Sequence, residues 1–140
     1  MARESPQPVS RPRPRQSGAA PAILQIAIAV PDADTAARIS AALLEAQLCA
    51  CVQTVGPVTS RYRWQGAIET AAEFLLLVKT RPSLYRAVET TVCALHPYEL
   101  PEIIAMPVQN ALAGYARWVV ESTPPPAPPP ARKTRSRRGR

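Results

Sequence analysis

An α+β domain in the order β-α-β-β-α-β, closed by a further helix, is what the sequence predicts, on three observations. Short apolar runs of strand character, Ile23–Val30 and Glu102–Pro107, stand near the two ends of the central region. Two long arms flank Gln65-Gly66 and read as one β-hairpin. Two stretches with apolar residues at three- and four-residue spacing fill the gaps and read as helices.

The first strand, Ile23–Val30, is short, apolar and stopped by Pro31. Its length and the proline stop favour a buried strand over a helix. Basic residues precede it, as they precede a secretion leader, but eight residues interrupted by Gln25 are too few for one. Asp32 and Asp34 then offer carboxylates to the unpaired N–H groups of a helix start. Ala36, Ile39, Leu43 and Ala46 form the apolar stripe of a helix reaching about Gln47.

The hairpin arms are Cys49–Trp64 and Ala67–Thr80. A two-residue connection ending in glycine suits the positive φ of a tight hairpin turn. The second arm alternates, with Ile68, Thr70, Ala72, Phe74, Leu76 and Val78 on one face. The other face is polar near the turn and apolar beyond it, so Glu69 and Glu73 read as the solvated hairpin tip. Gly56-Pro57 is expected to bend or bulge the first arm, because proline cannot serve a central ladder. Arms this long, against a usual strand of about 5–6 residues, overhang a small domain and leave edges that invite pairing. The expected remedy is association with other copies of the chain.

Pro82 opens a second helix, where its missing N–H costs little. Leu84, Val88, Val92 and Leu95 make its stripe, and it ends before His96-Pro97. The last strand follows, and Leu112–Ser122 closes the domain as a short helix carrying Tyr115, Trp118 and Val119. The whole order is the ferredoxin-like plan, with right-handed crossovers placing both main helices on one face of an antiparallel sheet. That plan serves many functions and selects none.

Charge and proline divide the chain. The net charge is +3 over residues 1–21, −2 over 22–122 and +6 over 123–140, and 11 of the 17 prolines lie in the two ends. Residues 22–122 are therefore expected to fold as one domain between two disordered, basic, proline-rich tails. The pI near 10.0 belongs to the tails and does not mark the domain as a nucleic-acid binder. The C-terminal tail could touch nucleic acid through charge alone; the plainer reading is a solubilising segment. Three cysteines, odd in number, suggest reduced thiols and a cytoplasmic setting rather than a disulfide scaffold. No apolar run approaches the roughly 20 residues of a membrane helix.

Several strings coincide in one chain. Leu48-Cys49-Ala50-Cys51-Val52 opens the hairpin, Ser60-Arg61-Tyr62-Arg63-Trp64-Gln65-Gly66 leads into its turn, and Lys79-Thr80 ends it. His96-Pro97-Tyr98-Glu99-Leu100-Pro101-Glu102-Ile103-Ile104 precedes the last strand, and Tyr115 and Trp118 follow. Together, from about Ile23 to Ser122, these resemble the CutA divalent-cation tolerance family. The resemblance implies a homotrimer knitted by the long hairpins, a role in tolerance of divalent metal ions with copper as the commonly named ion, and no enzymatic reaction. It is similar in shape to PII-like signalling trimers, which take small ligands at clefts between subunits. The sequence departs from the family at Ile28, where some members carry cysteine, at Ala29, and at Ala111-Leu112, where Gly-Asn is usual.

Copper favours thiolate and imidazole, so Cys49, Cys51 and His96 are the candidate metal ligands. On one strand Cys49 and Cys51 would share a face with Cα atoms roughly 7 Å apart, workable for two thiolates on one ion. The competing reading packs the cysteines as small hydrophobes and leaves His96 capping a helix end. Carried from the resemblance, Trp64, Lys79, Tyr98 and Glu102 are candidates to line a small-ligand cleft between subunits, with a small anion at that cleft as the signalling alternative. Arg61, Tyr62, Arg63 and Trp64 could stack on RNA, but aromatics sharing one strand face more simply fill an interface. No Ser/His/Asp set or glycine-rich phosphate loop is present.

Overall fold

A computed structural model describes residues 19–125 of the chain. The expectation for the two tails therefore lies, beyond residues 19–21 and 123–125, outside the described residues. The elements follow as β1 (Leu24–Val30), α1 (Ala33–Glu45), β2 (Cys51–Trp64), β3 (Ala67–Thr80), a short 3-10 turn (Pro82–Leu84), α2 (Tyr85–Leu95), β4 (Ile103–Pro107) and α3 (Ala113–Glu121). The four strands form one sheet in the order β2-β3-β1-β4, and every pairing is antiparallel.

Strand alternation decides which residues meet the helices. Ile26, Ile28 and Val30 of β1 and Leu76 and Val78 of β3 share one pleat, and all are fully buried. They pack with Ala36, Ile39 and Leu43 of α1 and Val88 and Val92 of α2, which makes the main core. A second cluster sits where α3 docks, built on Ile23, Ala116 and Val119. Arg81 holds that docking by donating to the Val120 carbonyl and to the Thr123 hydroxyl.

The opposite pleat carries Ala27, Leu75, Leu77, Ile104 and Met106, by the same register. In the single chain this face stays half-open, with Ile104 50% and Met106 45% exposed. Gln25 and Lys79 share this pleat at the Met106 end.

The helix caps follow local chemistry. Asp32 accepts from the Thr35 N–H at 2.7 Å and is the N-cap of α1. Helix α1 ends at Glu45, and Gln47 takes φ +55° while the Leu48 N–H returns to the Leu43 carbonyl. Pro82 opens a 3-10 turn rather than the helix proper, so α2 begins at Tyr85, three residues after the proline expected to open it.

The hairpin is as long as expected, 14 residues in each arm. Gln65 and Gly66 both take positive φ, +46° and +81°, as a tight hairpin turn requires. The ladder slips between Val55 and Val58, which is the bulge anticipated at Gly56-Pro57. Gly56 sits at φ +151°, and a Cβ there would lie 2.8 Å from Phe74 Cδ1. The first arm begins at Cys51, not Cys49: Ala50 N–H bonds the Lys79 carbonyl, while Cys49 turns into the main core at 2% exposure.

Candidate functional site

A cleft of about 710 Å³ opens between the outer half of the hairpin and the loop that joins α2 to β4. Alternation beyond the bulge builds its hairpin wall. Val58 pairs with Glu73, Ser60 with Ala71, Tyr62 with Glu69 and Trp64 with Ala67, so Tyr62, Trp64 and Glu73 share a face. Ala29, at the end of β1, forms part of the floor.

His96 fixes the loop wall. Its Nε2 lies 2.7 Å from the Ala29 carbonyl, and its Nδ1 is 3.1 Å from the Tyr98 backbone N–H. A carbonyl can only accept and an amide N–H can only donate. The ring therefore carries its proton on Nε2 and offers a lone pair at Nδ1. The Tyr98 ring leans on the imidazole with centroids 4.9 Å apart, and its hydroxyl donates to Glu73 Oε2 at 3.2 Å. Partial burial, then the charge of Glu73, pushes the Tyr98 phenol above its ordinary range. Ala29 N–H reaches the Glu102 carbonyl, closing the loop against β1.

Three of the four ligand-site candidates meet here: Trp64, Tyr98 and Glu102 all line the cleft. Lys79 does not. It sits on β3 opposite Cys51, at the far end of the strand from the turn, and donates to Gln53 Oε1 and the Leu77 carbonyl. Burial there holds its ammonium below the usual lysine range, although the nearby Cys51 thiol works the other way.

The metal-ligand candidates are not brought together. Cys49 is in the core, where burial first and neighbouring Cys51 second push its thiol up to about 12. Cys51 is half-buried on β2. His96 has both ring nitrogens engaged by backbone. Among the described residues no three His, Cys, Asp or Glu side chains cluster as a metal site.

Glu73 corrects the sequence reading. It was expected on the solvated hairpin tip with Glu69; it is 6% exposed and faces the cleft. The signal was available, since Glu73 stands opposite the Gly56-Pro57 bulge and next on its face to Leu75, where the apolar half begins. Tyr62 and Glu99 also line the cleft and were not named for it.

The fold and this cleft define a small α+β protein with an aromatic, ligand-sized recess, whose charged lining is three glutamates and one arginine, beside a half-open apolar sheet face. Residues 24–122 match the family described as CutA1 divalent ion tolerance protein. The chain is 43% identical over 98 residues to the divalent-cation tolerance protein CutA of Thermus thermophilus, covering 70% of this chain and 95% of that one. It is 38% identical over 118 residues to protein CutA of Mus musculus, covering 83% and 67%. The crystal structure of CutA from Xylella fastidiosa superposes with a TM-score of 0.71 at 41% identity, over 73% of this chain and 98% of that one. The chain belongs to the CutA1 divalent-ion tolerance family.

Proposed function

We propose that this protein serves divalent-cation tolerance as a homotrimeric, non-enzymatic binding protein of the cytoplasm, with the hairpin–loop cleft as its ligand site. The observation that carries the reading is the cleft itself. It gathers Trp64, Tyr62, Tyr98, Glu73 and Glu102 in one recess large enough for a small molecule. The strand order β2-β3-β1-β4 supports a ferredoxin-like assignment. The open apolar face around Ile104 and Met106 and the overhanging hairpin support the trimer. Three free thiols, one of them deep in the core, suit a reducing compartment.

In this reading copper acts weakly or indirectly. A buried thiol pushed up to about 12 is a poor source of thiolate. His96 could bind a metal only by giving up a backbone partner. The alternative, a PII-like signalling trimer taking a small anion, would use the same cleft. Its lining carries Glu73, Glu99 and Glu102 against Arg61, which opposes an anion.

The test is copper titration of the metal-free protein under reducing conditions, with His96→Ala and Cys51→Ser beside the wild type. Weak binding that neither substitution alters supports the indirect role. Saturable binding near one ion per subunit, abolished by either change, replaces this reading with direct copper handling.

A further inference from the structure

The cleft has a charge that the chain does not answer. Glu73 is more than nine-tenths buried, and its hydrogen bond comes from the neutral Tyr98 hydroxyl. No salt bridge reaches it among the described residues. Its carboxylate faces the cleft with one neutral donor on Oε2, and its other oxygen is not a sealed, unpartnered atom, so it is open to a cation beside it. Glu99 and Glu102 on the loop wall deepen the same negative field; Arg61 also lines the cleft, from the other pleat of β2 to Tyr62 and Trp64, and leaves three carboxylates against one guanidinium.

The surroundings select the kind of cation. A divalent ion held by protein wants several ligating side chains converging on one point, and among the described residues no three His, Cys, Asp or Glu side chains do so. What lies around Glu73 instead is aromatic: Trp64, Tyr62 and Tyr98 line the recess and each is about 40% exposed. Ring faces attract weakly hydrated organic cations, and their apolar area suits a carbon skeleton. We propose that the cleft binds a small organic cation, an amine, guanidine or quaternary ammonium compound, with Glu73 as counter-charge and the three rings against its carbons. The proposal rests on the reading of this cleft as the ligand site and adds the class of ligand.

The test titrates agmatine and tetraethylammonium into the full-length assembly by calorimetry, with citrate as an anion of comparable size. Glu73→Gln and Trp64→Leu are run alongside. Glu73→Gln keeps an acceptor for the Tyr98 hydroxyl while removing the charge; Trp64 is partly exposed near the hairpin tip, so its loss tests the site even where the Glu73 variant fails to fold. The expected result is saturable binding of at least one cation, about tenfold or more weaker in each variant, and no binding of citrate. Citrate binding that Trp64→Leu weakens, without cation binding, overturns the ligand class and leaves the cleft as the site. Cation binding indifferent to both variants overturns the placement. No binding of any probe overturns the proposal as well, and is the result expected where a basic side chain of a neighbouring copy already answers Glu73.

Discussion

Tyr98 and Glu73 stand 25 positions apart in sequence, and the hydroxyl of one donates to the carboxylate of the other at 3.2 Å. That bond ties the α2–β4 loop to the hairpin, and His96 supports it from behind by holding the Tyr98 backbone N–H. Tyr98→Phe keeps the ring against His96 and deletes only the donor. It leaves a buried carboxylate without that partner, at a cost of about 1–2 kcal/mol, because Tyr98 itself is partly solvated. Urea unfolding at matched protein concentration measures this. An unchanged midpoint would mean that the contact contributes nothing to the folded state.

Gly56→Ala is expected to destabilise by about 1–3 kcal/mol, from overpacking and backbone strain together. The new Cβ would lie 2.8 Å from Phe74 Cδ1 and 3.1 Å from the Glu73 carbonyl, at φ +151°. Phe74 packs against the main core and has little room to retreat. The adjustment therefore falls on the strand that carries Glu73. The variant should lower the thermal midpoint and disturb the cleft together; a midpoint equal to that of the wild type would show that the bulge absorbs a methyl freely.

Most of the fold was legible because it rests on local signals. Pro31 ends β1, Gln65-Gly66 makes the turn, and the period of three and four residues marks α1 and α2. Gly56-Pro57 announced the bulge without showing its consequence. Past the slip, the face of β2 that pairs with Glu73 changes, and a loop more than 20 residues further along closes over it. The bulge had a local signature and the loop closure had none, so Glu73 read as solvent-facing. Cys49 was misplaced for a related reason: two residues apart means one face only inside a strand, and the strand begins at Cys51. Three cleft residues came from family motifs, whereas Lys79 stands in a motif but points to another part of the sheet.

Alkaline pH should expose Cys49. Burial raises its thiol from 9.0 to about 12 in the folded protein, whereas the unfolded chain ionises near 9. The folded state then holds more protons than the unfolded state, so stability is complete below pH 9 and falls as pH climbs toward 12. The slope from this group is at most about 1.4 kcal/mol per pH unit. Tyr98, also raised, adds loss in the same direction above pH 10. Lys79, held low, works oppositely: its contribution is complete above pH 10.5 and lost as pH falls through its folded value. The difference between wild type and Cys49→Ala, followed by urea midpoints from pH 8 to 11, isolates the thiol. Parallel curves for the two proteins would contradict its placement in the core.

Acid should loosen the start of α1. The Thr35 N–H bond holds the Asp32 carboxylate below its ordinary 3.8. The contribution is therefore present above pH 3.8 and lost as pH falls through the lower folded value. Asp32→Asn retains a capping acceptor and should flatten this acid dependence while nearly preserving stability at pH 7. Asp32→Ala should lose stability at both pH values. Helix content followed by circular dichroism between pH 7 and pH 2.5 distinguishes the three proteins, and an acid response in Asp32→Asn as steep as in wild type would assign the effect elsewhere.

The uncovered pleat gives the sharpest test of assembly. Ile104 and Met106 lie on the edge strand β4, about half exposed and away from the main core, so a charge placed there strains little within one subunit. The same charge buried between copies would be desolvated without a partner, three times over in a trimer. Ile104→Glu with Met106→Glu should therefore convert a trimer to smaller species while the far-ultraviolet circular dichroism of the fold persists. Sedimentation velocity at several concentrations reads this directly. A double variant that sediments as the wild type does would mean that this face is not an interface. The apolar surface around Leu75 and Leu77 would then lie open to water.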